Sequence, residues 1–162
     1  MELSSFDLNQ LVTEVADLYR AQGAHGATPV KVQLFLDEAL GAVEADRGRI
    51  RQILNNLLTN AFEALEGQPD AEVTVSTARS TLQGSPVLEL TVADNGPGFK
   101  GDIIGQLFDP YVTSKPKGTG LGLAIVKKIV DEHGGRIAID NVPPHGARVT
   151  LAFPAVKAAA AA

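Results

Sequence analysis

The chain has no cysteine, which excludes a disulfide framework and any thiolate metal site and fits a reducing compartment. It has no apolar run approaching about 18 residues, the length a membrane-spanning helix needs. The opening Met1-Glu2-Leu3 starts with an acid and leads into an amphipathic segment, unlike the basic and then apolar start of a secretory leader. An excess of positive charge is also missing. The net charge is −5, which argues against a nucleic-acid partner. Basic residues do gather locally, at Lys115 and Lys117. No direct membrane contact is expected, and the expected location is cytoplasmic.

With 162 residues, 44% hydrophobic and 20% charged, the chain can bury one sizeable core. No internal repeat and no linker interrupt it. One domain is expected over 1–155, followed by a low-complexity tail over 156–162.

Hydrophobic spacing predicts the elements. Leu8, Leu11, Val12, Val15 and Leu18 recur at helical spacing behind Asp7, a capping residue, in a helix that starts near Phe6 and ends near Gln22-Gly23. Val30 to Leu36 alternates as a strand, and Gly41 to Ala45 reads as a short turn or strand. Asp46 opens a long helix to Leu65, stopped by Gly67-Gln68-Pro69. Strands follow over Glu72–Arg79 and Pro86–Val92, joined around Gln83-Gly84. A helix from Leu121 to His133 precedes two last strands, Arg136–Asp140 and Ala147–Phe153, which form a hairpin across Val142 to Gly146. There is no regular strand–helix alternation. The fold class expected is α+β, a two-layer sandwich with a mixed, mostly antiparallel sheet and helices on one face.

Two glycine clusters carry the chemistry. Asp94-Asn95-Gly96-Pro97-Gly98 follows an apolar strand that delivers Asp94 to its end. Gly118-Thr119-Gly120-Leu121-Gly122-Leu123 runs straight into a helix, where free N–H groups and the positive dipole end suit a phosphate. Between them, Gly96 to Gly118 holds three prolines and five glycines with little periodicity, as a functional lid does. Asn56 and Asn60 lie four apart and share a helix face. A carboxylate at one glycine turn and a phosphate cradle at another describe a nucleotide pocket.

These residues resemble a known family. Leu54-Asn55-Asn56-Leu57-Leu58-Thr59-Asn60-Ala61 is similar to the N box of sensor histidine kinases. The two clusters resemble their glycine boxes, and Leu107-Phe108-Asp109-Pro110-Tyr111 their phenylalanine box. His145-Gly146-Ala147-Arg148-Val149 sits where a last glycine-containing strand is expected. The matches run in family order over roughly Asp46 to Pro154. The chain is similar to the catalytic, ATP-binding domain of a bacterial two-component histidine kinase, with the Bergerat fold. Asn60-Ala61-Phe62-Glu63-Ala64 and Thr113-Ser114-Lys115 look most like the nitrogen-regulation subgroup.

The resemblance implies ATP and Mg²⁺. Asn60 would be the metal ligand, through an amide oxygen of the hard kind Mg²⁺ prefers. Asn56 would hold the phosphates, and Asp94 would accept from the adenine amine and select adenine over guanine. Gly96 and Gly98 would bring backbone close to base and sugar. Gly118, Thr119, Gly120, Leu121 and Gly122 would cradle phosphate, with Lys115 and Lys117 neutralising charge. Asn56 and Lys115 are the expected catalytic residues, and Phe108 and Tyr111 the lid anchors. The bland readings are a polar helix face for the asparagines, a turn-forming Asp94 and a helix cap at Thr119.

His25, His133 and His145 are each followed by glycine, which does not match the family's phosphoacceptor site. His133 reads as a helix C-terminal residue, favourable there if protonated. The acceptor is expected on a separate dimerisation domain, with a response regulator as indirect partner. The fragment is expected to be monomeric and the full-length protein a homodimer, free or anchored in the inner membrane. Two departures matter. Glu63 stands where relatives carry a basic residue, leaving that contact to Lys115. Asn56 stands where ATP-hydrolysing cousins carry a general-base Glu, and an amide takes no proton. Transfer to an external nucleophile is therefore expected rather than hydrolysis. An anti-sigma-type serine kinase and a non-catalytic adenine-nucleotide sensor are the alternatives.

Overall fold

The computed structural model describes residues 1–25, 29–99 and 122–155. The expected tail over 156–162 lies outside them. Five strands form one sheet in the order β2-β4-β5-β7-β6: β2 Val30–Phe35, β4 Ala71–Leu82, β5 Ser85–Asp94, β6 Arg136–Asn141 and β7 Ala147–Pro154. The β2–β4 pair is parallel and the other three pairs are antiparallel. The parallel pair needs a crossover, supplied by β3 Ala42–Ala45 and helix α2 Arg47–Ala64.

Three helices, α1 Leu8–His25, α2 and α3 Gly122–Glu132, lie among the described residues. Strand alternation defines the buried face of the sheet. Val73, Val75, Leu90, Val92, Val149 and Leu151 are all buried. Against them pack Ile53, Leu54, Leu57, Leu58 and Ala61 of α2, Val126, Ile129 and Val130 of α3, and Leu11, Val12 and Val15 of α1. This is the expected α+β sandwich with helices on one face.

Asp7 caps α1 as expected, and Asp46, expected to open the long helix, caps α2. Gln10 N–H donates to Asp7 Oδ1 at 3.1 Å, and Arg49 N–H to Asp46 Oδ1 at 3.2 Å. The β4–β5 turn has Gln83 and Gly84 both at positive φ (53° and 82°), the type I′ pattern that matches strand twist. The last hairpin closes through Val142 N–H to Gly146 O at 2.9 Å.

The N-terminus departs from expectation. Phe6 belongs to a strand, β1 Ser4–Asp7, and pairs with Val43 of β3 in a separate two-stranded sheet. Helix α1 begins only at Leu8 and runs to His25, past Gly23. One glycine near a helix end costs about 1 kcal/mol, too little to end a helix that packs on its neighbours.

Candidate nucleotide site

Asp94 ends β5 with the pleat of Leu88, Leu90 and Val92, so its side chain points to the helix layer. Its strand partners are Val73 on β4 and Ala147 on β7, both buried. The carboxylate is oriented from within its own turn, where Gly96 N–H donates to Oδ1 at 2.8 Å. The turn-forming and ligand-binding readings of Asp94 are thus compatible.

Gly96 is needed for close approach. A Cβ there would lie 2.9 Å from Asp94 Oδ1 and 3.3 Å from the carbonyl oxygen of Ala64, at the end of α2. Gly98 has φ +83°, and its Cβ would lie 2.8 Å from Asn141 Oδ1. That amide also grips the next residue. Phe99 N–H donates to Asn141 Oδ1 at 2.7 Å, and Asn141 Nδ2 donates to Phe99 O at 3.0 Å. A ring nitrogen of His145 reaches Gly96 O at 3.2 Å. The two glycines therefore make room for neighbouring protein groups first, whatever they make room for in a ligand.

Asn56 and Asn60 are half-buried on α2. The Nδ2 of Asn56 is buried and has no hydrogen-bond partner among the described residues. A buried donor of this kind is uncommon and points to an acceptor from outside the described residues. Asn60 meets the second glycine cluster. A Cβ on Gly122 would lie 3.3 Å from Asn60 Nδ2 and 3.4 Å from its Oδ1. Gly122 and Gly96, one from each cluster, thus both lie against α2, at Asn60 and at Ala64, a helical turn of about 6 Å apart. Asn56 lies one turn further from the Asp94 end.

Lys115, Gly118, Thr119, Gly120 and Leu121 lie outside the described residues, as do Lys117, Phe108 and Tyr111. Glu63 is exposed on α2. No group of three or more His, Cys, Asp or Glu side chains suited to a metal ion occurs among the described residues.

Other parts of the site were not foreseen. Tyr19 OH bonds to Asn55 O at 3.1 Å and to Thr59 Oγ1 at 2.9 Å, and its ring stacks edge-on against Phe62 at 5.3 Å. This anchors α1 to the turns that carry Asn56 and Asn60. Helical spacing marks no polar role for Tyr19. For Asn141, nothing in the sequence signals a contact with a residue 42 positions away.

His133 closes α3 as the expected helix C-terminal residue and makes a second contact besides. Its Nδ1 contacts Ile129 O at 2.8 Å, as a C-terminal helix residue can, but its Nε2 accepts from Asp46 N–H at 3.1 Å. With Nε2 accepting from Asp46, the ring faces Ile129 O through Nδ1. It joins the end of α3 to the cap of α2. Asp46 is held below the usual carboxylate range by the Glu2 and then the Arg49 backbone N–H groups.

Residues 45–157 match the family model described as histidine kinase-, DNA gyrase B- and HSP90-like ATPase. The sensory histidine kinase/phosphatase NtrB of Rhizobium leguminosarum is 41% identical over 125 residues, 71% of this chain and 33% of that protein. The nucleotide-free catalytic domain of histidine kinase ThkA superposes with a TM-score of 0.81 at 32% identity, covering 96% of this chain and 99% of that one. Histidine kinase ThkA in complex with the response regulator TrrA matches at 0.77 and 28% identity, over 95% of this chain and 42% of that one. The chain spans about a third of the length of the curated relatives it matches. The likeness to NtrB agrees with the nitrogen-regulation resemblance. No helix among the described residues is long and apolar enough to cross a membrane. Gly96 and Gly122 lying against an asparagine-bearing helix, in a chain that matches along nearly its whole length, make this a nucleotide-binding member of the histidine kinase-, DNA gyrase B- and HSP90-like ATPase family, of the sensor histidine kinase catalytic-domain type.

Proposed function

We propose that the chain binds ATP and Mg²⁺ and presents the γ-phosphate to a histidine on a separate dimerisation domain, as a step of two-component signalling. The observation that carries this is the buried Nδ2 of Asn56, without a partner among the described residues, on the helix that Gly96 and Gly122 both approach. An amide donor there suits a phosphate oxygen. Asp94 at the other end suits the adenine amine, because a carboxylate accepts from an amine and is repelled by a carbonyl oxygen. Base, metal and phosphate contacts then follow one another along α2 in the order of the nucleotide's own parts.

The Oδ1 of Asn60 is the described group suited to Mg²⁺, an ion that keeps water and phosphate ligands and so needs few from protein. Bound there, the ion would neutralise charge on the phosphates. The amide of Asn56 cannot act as a base toward water. The chain's own contribution is positioning, with Gly118, Thr119, Gly120, Leu121 and Gly122 around the phosphates and Lys115 beside them. In the full protein a homodimer supplies the histidine, and a response regulator receives the phosphoryl group. The chain alone is a monomer and hydrolyses ATP slowly.

Calorimetric titration of ATP and ADP, with and without Mg²⁺, into the chain and its Asp94→Asn variant tests this. Binding to the parent that is lost in the variant is expected. Parent-like binding by the variant, or fast steady hydrolysis, overturns the reading.

A further inference from the structure

Asn95 stands beside the base-reading carboxylate, and nearly every polar group it has is used. Its backbone N–H donates to Glu72 O at 3.2 Å, and its Oδ1 accepts from Glu72 N–H at 2.8 Å. Its Nδ2 donates to Asp70 O at 2.9 Å. Gln68 Nε2 donates both to Asn95 O at 2.8 Å and to Asn95 Oδ1 at 3.2 Å. Glu72 belongs to β4, and Gln68 and Asp70 to the connection between α2 and β4, which is wound through two left-handed residues, Gly67 (φ 77°) and Asp70 (φ 55°).

Two consequences follow. The Glu72 contacts carry the β4–β5 pairing one residue past Asp94, which fixes where the strand ends and hence the direction of the Asp94 side chain. The Asp70 and Gln68 contacts tie that strand end to the chain leaving α2, the helix that carries Asn56 and Asn60. The turn at Asp94 and the C-terminal end of α2 are thus held as one unit through a single amide. An aspartate or threonine at 95 would still form a turn, but neither side chain could both accept from Glu72 N–H and donate to Asp70 O while fully ionised or so short.

We infer that Asn95, with Gln68 as its support, is a positioning residue that sets adenine selectivity by fixing the Asp94 carboxylate relative to α2. The inference rests on the reading of Asp94 as the base contact. A residue that merely holds the fold would lower the melting temperature and weaken all nucleotides together. A residue acting through Asp94 should lower ATP affinity and spare GTP, whose six-position carbonyl gains nothing from that carboxylate.

The experiment measures ATP and GTP affinity by competition calorimetry, with melting temperature recorded for each variant. The variants are Asn95→Ala, Gln68→Ala, Asp94→Asn and the double Asp94→Asn/Asn95→Ala. Asn95→Ala is expected to cut the ATP-over-GTP ratio by about tenfold, and Gln68→Ala, which leaves the Glu72 pairing intact, by about threefold. In the Asp94→Asn background, Asn95→Ala should change ATP affinity by less than about twofold, as residues acting through one group do. If Asn95→Ala does not fold, the Gln68→Ala ratio decides. An unchanged ratio in the folded variants, with Asp94→Asn still losing ATP, overturns the role of Asn95 alone. Parent-like ATP binding by Asp94→Asn overturns the base contact itself and this inference with it.

Discussion

Gly122 lies against the side chain of Asn60, so close that a Cβ would sit 3.3 Å from Nδ2 and 3.4 Å from Oδ1. The first residue of α3 and the proposed metal-binding amide therefore share one small space. Gly122→Ala adds a better helix former and intrudes on that amide. Stability should hold or rise slightly, while Mg²⁺-dependent ATP affinity falls about tenfold and metal-free ADP affinity barely moves. Thermal melting beside calorimetry checks it. Equal losses for both nucleotides would mean that Asn60 is not displaced.

The assigned roles predict different losses at the two ends of the pocket. Asp94→Asn should weaken ATP and ADP alike, because both carry the same base. Asn60→Ala should cost Mg²⁺-ATP binding and transfer more than metal-free ADP binding. The expected size is about tenfold or more in each selective loss, the scale of one charge-assisted contact. Titrations of both nucleotides with and without Mg²⁺ separate the two variants.

Much of this site is legible in the sequence, because its parts are local. The start of α2 at Asp46, the apolar face of α2 and the turn after β5 each rest on residues a few positions apart. What the sequence hides depends on long-range pairing. Asn141 reaches Phe99 only because the β6–β7 hairpin returns beside β5, and Tyr19 reaches Asn55 only because α1 packs on α2. Phe6 fits a helical period equally well. Its strand exists because β3 offers an edge, which no local pattern near Phe6 announces.

Asp46 predicts a pH dependence. Its carboxylate accepts from Glu2 N–H at 2.9 Å and from Arg49 N–H at 3.2 Å, and these bonds lower its folded-state pKa below the unfolded value. Its contribution to stability is therefore complete above the unfolded pKa, about 4, and is lost as pH falls through the lower folded value. Asp46→Ala should lower the melting temperature at neutral pH and flatten its decline below about pH 4. A parallel, undiminished acid decline in the variant would show that Asp46 does not contribute to it.

His133 makes the last prediction. Its Nε2 satisfies the backbone N–H of Asp46, and its ring meets Phe153 edge-on at 6.0 Å. His133→Phe keeps an aromatic ring of similar shape but leaves that N–H without its acceptor. Loss of a partner for a partly buried donor costs about 1–3 kcal/mol, and the exposure of this site favours the lower end. Urea unfolding should show that loss. Because α2 and α3 are joined here at the ends opposite Asn60 and Gly122, their spacing at the pocket should loosen as well. A modest drop in Mg²⁺-ATP affinity, about twofold to threefold, is expected with ADP affinity preserved. A variant as stable as the parent would mean that the Asp46 N–H finds water instead, and that the two helices are held by Val126, Ile129 and Val130 alone.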